Sequence, residues 1–543
     1  MRMSERIANL WRRLSPRTRS IAAWASLAVV FVALVLVPAL RAGLRDVISD
    51  SLYLGGVYRD LFIDRVGLRD WNLQPAPSLF PDAPLFFVLR AALGRSDLAI
   101  GAYSVVTVTV ITLLVSDLAR QMGATPWAGR VAAVAAGGAI AVSALYELLF
   151  VCAIHPSCHG ASLVVGLGVL ALAMRQLKSQ RPRIGVLLGI ALLAGGTAAF
   201  DRIFFMYAGA PIAGAVVFCA LFALFHVIRC AWVAGALAVG AAVSTLGVRF
   251  IRALGATITV LPPPGLRPLD DLDATWQAVG DGAKMIGAWD WSPKTTPWIL
   301  GAAVVTLLGT AALATDAMRT WTRAGYRAGA FDEQTAVRTF AAIAAWLSMV
   351  ATLLGTAWVR GFVSKAENRY IQPAFILPCI AIPLFLVLAS NARTRVLIAG
   401  ATVLLALAVH QEMKGVADTD TATRSELWDP WPPLVRCLDA ISAKENVHFG
   451  YAHYQNARKV TELSRRRLRL LPVTHSGDPE IWIANRYWYN AVVPWSNFLV
   501  VTEHLTEPRI ESLFGKPKKT TSCPGGQAVW IYDGHPPPPP PMY

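Results

Sequence analysis

"IAAWASLAVVFVALVLVPAL", Ile21–Leu40, is followed without a break by "RAGLRDVISDSLYLGGVYRDLF", Arg41–Phe62. About 20 mainly apolar residues suffice to cross the hydrocarbon core of a bilayer as a helix, so the first stretch reads as a membrane span. The second carries Asp46, Asp50 and Asp60, with Asp64 and Asp82 soon after, at the point where the chain leaves the membrane. That juxtaposition decides both the fold class and where function is sought.

The rest of the chain agrees with a membrane reading. Of 543 residues 55% are hydrophobic and only 15% charged, with a mean hydropathy of +0.47, which marks a polytopic membrane protein. Besides 21–40, apolar runs fall near 98–118, 131–150, 160–174, 184–200, 203–225, 231–250, 298–315, 339–359, 370–390 and 396–411, giving about eleven spans. The basic head before the first run (Arg2, Arg6, Arg12, Arg13, Arg17 and Arg19) places residues 1–20 in the cytoplasm. The run's length and its lack of a small-residue cleavage site argue against a removable signal peptide. Counting from there, the basic connections 175–183, 319–329 and 391–395 are cytoplasmic, as the positive-inside rule asks. The loops 41–97, 151–159, 251–297 and 360–369 then lie outside, with everything after residue 411.

Residues 412–534 are polar and read as a small extracytoplasmic α/β domain, with strands expected at 447–454, 480–484, 497–503 and 527–533 and a helix at 507–515. "HPPPPPPMY", residues 535–543, reads as an extended proline-rich tail. The net charge of +16 gathers largely in cytoplasmic connections, where anionic headgroups are the ordinary partner, so nucleic acid is not expected. Of seven cysteines, Cys219, Cys230 and Cys379 fall in spans as packing residues. Cys152 with Cys158, and Cys437 with Cys523, pair off on the outer side, where an oxidising periplasm permits disulfides; reduced, buried thiols are the alternative.

Loop 41–97 is too long for a plain connector. A helix beginning near Arg45 would present Asp46, Asp50 and Tyr53 on one face. Downstream, "QPAPSLFPDAPLFFVLRAALG" sets Pro75, Pro77, Pro81 and Pro84 ahead of an apolar helix, with Asp82 near its amino terminus. These pieces, "SDSLYLGGVYRDL" and "FPDAPLFF", together with "NRYIQPA" (Asn368–Ala374), resemble the GT-C class of integral-membrane glycosyltransferases, which includes protein O-mannosyltransferases and the bacterial aminoarabinose transferase. The resemblance extends to the architecture of many spans followed by an outer domain. It departs from the family pattern where Ser51 follows Asp50 and Ala83 breaks the second proline pair.

The resemblance implies a periplasmic-face transferase of the bacterial inner membrane. It would take a sugar from polyprenyl phosphate and deliver it to a cell-envelope glycan or glycolipid, an acceptor preferred to protein by analogy alone. An attacking hydroxyl must lose its proton, which assigns Asp50 as general base and Asp82 as the second catalytic candidate or, with Asp50, a ligand for a divalent metal. Arg202, Lys365 and Arg369 are expected at the donor phosphate; for Arg202, pairing with Asp201 or snorkelling to the interface stays open. Tyr53, His155, His159 and Tyr370 complete the substrate candidates. "CAIHPSCHG" favours hydrogen-bonded loop histidines over a zinc site, which wants a fourth ligand. Trp276, Trp289 and Trp291 in loop 251–297 read as interface anchors ahead of a donor-site cover, and "SRRRLRL", Ser464–Leu470, as a solvated charge run ahead of an anion site. A secondary transporter or lipid flippase is the rival reading and asks for ionisable groups deep in the spans. A non-catalytic envelope scaffold is the third.

Overall fold

The computed structural model describes residues 15–45, 50–145, 148–258, 332–358, 370, 372–388, 431–481, 483–490, 497–524 and 526–534. The expected spans 298–315 and 396–411, nearly all of loop 251–297, Asp46, Lys365, Arg369 and the tail 535–543 lie outside the described residues.

The chain is mostly helical, and among the described residues five helices are long and apolar enough to cross a membrane: Pro16–Leu44, Ser96–Gln121, Gly160–Lys178, Val227–Ala253 and Glu333–Thr352. The first is continuous through α1 (Pro16–Phe31), a π-helical turn (Val32–Leu36) and α2 (Val37–Arg45). Only 6% of its most apolar window is buried, so its side chains (Val29 is 67% exposed) face whatever surrounds the protein, as suits a lipid-facing helix. After α2 come α3 (Tyr53–Tyr58), β1 (Asn72–Leu73) and α4 (Asp82–Leu93), then α5 (Ser96–Gln121), α6 (Pro126–Ser143), α7 (Leu148–Ile154) and α8 (Gly160–Lys178). The single span expected at 131–150 is thus two helices, because α6 stops at Ser143 and the chain turns before α7. Further on are α9 (Ile184–Phe200), α10 (Ala210–Leu221), α11 (Val227–Ala253), β2 (Thr257–Ile258), α12 (Glu333–Trp358) and α13 (Gln372–Leu388). Of the three residues expected on one helix face, Asp46 lies outside the described residues, Asp50 stands in a turn, and Tyr53 opens α3 fully buried.

Two kinds of helix end separate. At one end Arg175 meets Asp117 at 2.8 Å, Lys178 meets Glu333 at 3.6 Å, and Arg229 and Arg338 donate to the carbonyls of Leu177 and Met122. At the other, the starts of α4, α5, α8 and α13 and the end of α9 meet, and the carboxylates and histidines gather there.

From Pro433 onward the chain builds α14 (Pro433–Glu445), β3 (Phe449–His453), α15 (Tyr454–Leu463), β4 (Arg469–Val473), α16 (Tyr487–Asn490), β5 (Asn497–Val501), α17 (Glu507–Phe514), β6 (Lys519–Ser522) and β7 (Ala528–Asp533). These strands make one five-stranded sheet in the order β4-β3-β5-β7-β6. β3 is parallel to β4 and β5, and β7 is antiparallel to β5 and β6. Helix α15 makes the crossover a parallel β3–β4 pair requires. The described residues of 480–484 are not in a strand, and an isolated bridge lies beside them, Asn485 to Trp71. β4, by contrast, emerges from the end of the arginine run, where its five residues are all buried. The edge strand β6 is exposed and carries Lys519, which guards an open edge.

One apolar core joins loop to sheet. Leu52, Tyr53, Trp71 and Phe86 pack with Leu438, Val460, Leu470 and Leu499. β1 pairs with β2 in parallel, while the Asn72 amide donates to Ala484 and the Arg486 amide to Asp70. Cys437 and Cys523 form a disulfide 86 residues apart, whereas Cys152 and Cys158 are buried and form no disulfide. Closing so long a loop restricts the unfolded chain, so Cys437→Ser with Cys523→Ser is expected to cost about 2–4 kcal/mol. Denaturant midpoints of the double variant check this, and an unchanged midpoint contradicts it.

Candidate functional site

The loop "HPSCHG" between α7 and α8 is the hub. Gly160 must be glycine, since a Cβ there would stand 2.1 Å from the Ala153 carbonyl oxygen. Just before it, Ser157 and His159 hold left-handed backbones at φ 64° and 68°, a conformation side chains adopt only when surroundings enforce it. The turn sends the Ser157 amide to Asp82 Oδ2 at 2.9 Å, while the Tyr103 hydroxyl, two turns into α5, donates to Asp82 Oδ1 at 2.5 Å. His159 Nδ1 lies 3.0 Å from both oxygens of Asp201 at the end of α9. Asp201 also accepts from the Ser162 hydroxyl at 2.6 Å and the Ile203 amide at 3.3 Å. Tyr370 sets its ring 5.2 Å from that of His159, and Gln372 donates to the Cys158 carbonyl at 2.8 Å. The "RYIQP" segment and the histidine loop therefore meet.

Environment drives the two carboxylates apart. Burial pushes Asp82 up to about 6, beyond what the Tyr103 hydroxyl, the Ser157 amide and His159 recover, and the neighbouring Asp201 adds to the rise. Burial acts on Asp201 in the same sense but is outweighed by His159, Ser162 and Ile203, so Asp201 ends below the ordinary range. Paired acids displaced in opposite directions are the usual division into proton carrier and fixed charge. His155, beneath them, is lowered to about 4 by burial and is neutral at neutral pH.

The Asp82 shift gives a signed expectation. Its folded value lies above its unfolded value, so the folded state holds the extra proton between pH about 4 and about 6. Stability from this group is full below pH 4 and lost as pH rises through 6, by about 3 kcal/mol. Melting temperatures of wild type and Asp82→Asn, followed from pH 4 to 7, are expected to converge or cross as the wild type falls; parallel curves would contradict the assignment.

Asp50 takes a different partner. It is half-buried in the turn before α3, and the Tyr454 hydroxyl at the start of α15 donates to it at 3.4 Å. It is tied to the hub through its neighbour, since Ser51 Oγ lies 3.3 Å from His155 Nδ1. Tyr53, expected at the substrate, is instead fully buried edge-on against Trp71, because the loop and sheet close an apolar core around it. Arg202 is exposed and makes no ion pair with Asp201 among the described residues, the carboxylate having turned to His159 and Ser162. Lys365 and Arg369 lie outside the described residues.

Tyr103, Ser157, Ser162 and Gln372 were not legible as site residues, and Asp201 only as a partner for Arg202. Asp201 had one signal: an acid at the end of an apolar run is a functional candidate by default. Among the described residues no three His, Cys, Asp or Glu side chains converge as a metal ligand set, and both Asp82 oxygens accept protein donors. This donor set does not fit a divalent cation.

One face of α8 extends the site into apolar ground. Ser162 belongs to the cluster, and Leu163, Gly166, Leu167 and Leu170 further along the helix line a mostly apolar pocket with Ile212 and Leu377.

The molecule is a mostly helical protein of membrane type with a buried carboxylate and histidine cluster where its helix ends meet a mixed sheet. No family model, curated protein or solved structure matches the chain.

Proposed function

We propose that this protein is a membrane glycosyltransferase that moves a sugar from a polyprenyl-phosphate donor to a cell-envelope glycan or glycolipid on the periplasmic face of the inner membrane. The observation that carries the reading is a polar cluster at His159, Ser162 and Asp201 by the start of α8 with an apolar pocket further along the same helix, an arrangement that would suit a ligand with a charged head and a hydrocarbon tail. The alternating helix ends support a multi-pass arrangement of about eleven spans, with the basic end cytoplasmic and the sheet outside.

In the proposed reaction the acceptor hydroxyl attacks the anomeric carbon, its proton passes to Asp50, and the bond from that carbon to the phosphate oxygen breaks, releasing polyprenyl phosphate. Asp50 suits the base because it is half-buried and adjoins the hub through Ser51, whereas Asp82 is 2% exposed and saturated with donors. Asp82 then positions the Ser157 turn. His159, fixed at Nδ1 by Asp201, keeps Nε2 for the donor head. Arg369 and Lys365, just before Tyr370 in sequence, and the exposed Arg202 are the proposed phosphate contacts.

A secondary transporter is the second reading, favoured by one observation: an acid held near pH 6 beside a histidine–aspartate pair suits a proton carrier. Against it, the described ionisable groups of the apolar helices sit at helix ends. Vesicles containing the purified protein, assayed in parallel for sugar transfer and for substrate-driven proton flux, separate the two; flux without transfer would sink the transferase.

A further inference from the structure

The junction between loop 41–97 and the sheet holds a cleft whose walls include Arg59, Asp60, Trp71, Arg458, Glu462 and Arg469. Most of its charge is satisfied. Asp64 accepts from Arg59 at 3.3 Å and from Arg469, and Asp60 accepts from Arg469 at 3.5 Å, Asn485 at 2.7 Å and Trp488 at 3.0 Å.

Arg458, like Glu462 one turn along α15, is an exception. It is 8% exposed, yet among the described residues it forms no ion pair. Its guanidinium donates through Nη2 to the Ile483 carbonyl and lies over the rings of Trp71 and Tyr454 at 5.7 and 5.9 Å, but Nε has no partner. The indole Nε1 of Trp71, 1% exposed on the same cleft wall, is also unpartnered. A buried cation without a counter-charge is costly, so a fold retains one where something outside the chain completes it. Glu462, one turn further along α15, does not serve: one oxygen accepts from Ser96 at 2.9 Å, and the other has no partner. Room for the guanidinium is itself built in, since a Cβ on Gly56 would stand 2.5 Å from Arg458 Nη1.

We propose that this cleft binds an acidic saccharide, with Arg458 taking its carboxylate or phosphate and the Trp71 indole NH a neighbouring oxygen. Planar, bidentate recognition of such groups is what arginine does well, and an aromatic wall suits a sugar face. The choice of a saccharide rests on the transferase reading; the oxyanion site does not.

The test is calorimetric titration of the full chain in nanodiscs with glucuronate, inorganic phosphate and glucose, without any donor present. Either oxyanion is expected to bind and glucose not to; glucuronate points to a sugar acid, and phosphate to a phosphorylated sugar or headgroup. Arg458→Met is expected to weaken binding at least about tenfold without lowering the ligand-free melting temperature, because it removes an uncompensated charge. Gly56→Ala, which crowds the guanidinium, is expected to weaken binding in the same direction and decides the matter if Arg458→Met fails to fold. No oxyanion binding by wild type, or undiminished binding by the variants, would overturn the proposal. Oxyanion binding in a chain that transfers no sugar would leave the site standing and remove the transferase.

Discussion

Asp50→Asn is expected to reduce sugar transfer by about 10²–10⁴-fold, the usual contribution of a positioned general base. The substitution preserves shape, and the amide oxygen can still accept from the Tyr454 hydroxyl, so donor affinity and melting temperature should hold. The informative pattern is therefore a fall in kcat with KM for the donor unchanged. Retained turnover would move the base elsewhere, and Asp82, already near pH 6 through burial, is the group that would inherit it.

The second large effect concerns the junction. Arg469 is buried with Asp60 and Asp64 and stacks 3.5 Å from the centre of the Trp488 ring. Burial and the nearby Arg59 pull Arg469 down to about 10, and burial holds Asp60 above the ordinary carboxylate range despite its donors. Arg469→Leu leaves two neighbouring carboxylates with their shared cation gone, which is expected to cost about 3–5 kcal/mol. Limited proteolysis should then cut within the sheet region under conditions where the wild type resists. Adding Asp60→Asn to Arg469→Leu is expected to recover part of the loss, because the remaining charge imbalance is smaller. Full stability of Arg469→Leu would show that the apolar core around Trp71, Leu470 and Leu499 alone holds the sheet to the helices.

Different parts of this molecule were legible for different reasons. Apolar runs announce themselves locally, so Ile21–Leu40 and 98–118 fall within observed helices. Helix α4 follows its proline-rich lead-in as expected but begins at Asp82, ahead of the start near Leu85 that the sequence suggests. Pairing is another matter: Asp82 and Ser157 are 75 positions apart, and His159 and Asp201 are 42. Nothing in either neighbourhood specifies its partner. The histidine loop read as hydrogen-bonded residues, which describes His155 with Ser51 and His159 with Asp201, but their partners came only with the fold. β4 was hidden because Arg465, Arg466, Arg467 and Arg469 resemble a solvated face, whereas Arg469 is buried against Asp60 and Asp64 of loop 41–97 and Arg465 stacks on Trp431. Tyr53 misled for the opposite reason: its spacing from Asp50 suggested a shared exposed face, and long-range burial by Trp71 removed it.

The central claim is transfer itself. The measurement is incubation of the purified full chain, in nanodiscs, with a panel of synthetic polyprenyl-phosphate sugars and envelope glycan or glycolipid acceptors, with products read by mass spectrometry. The account predicts a glycosylated acceptor and free polyprenyl phosphate in equal amounts from at least one donor, both lost in Asp50→Asn. Product formed equally well by Asp50→Asn, or no product from any donor while the vesicles conduct substrate-driven proton flux, would contradict it.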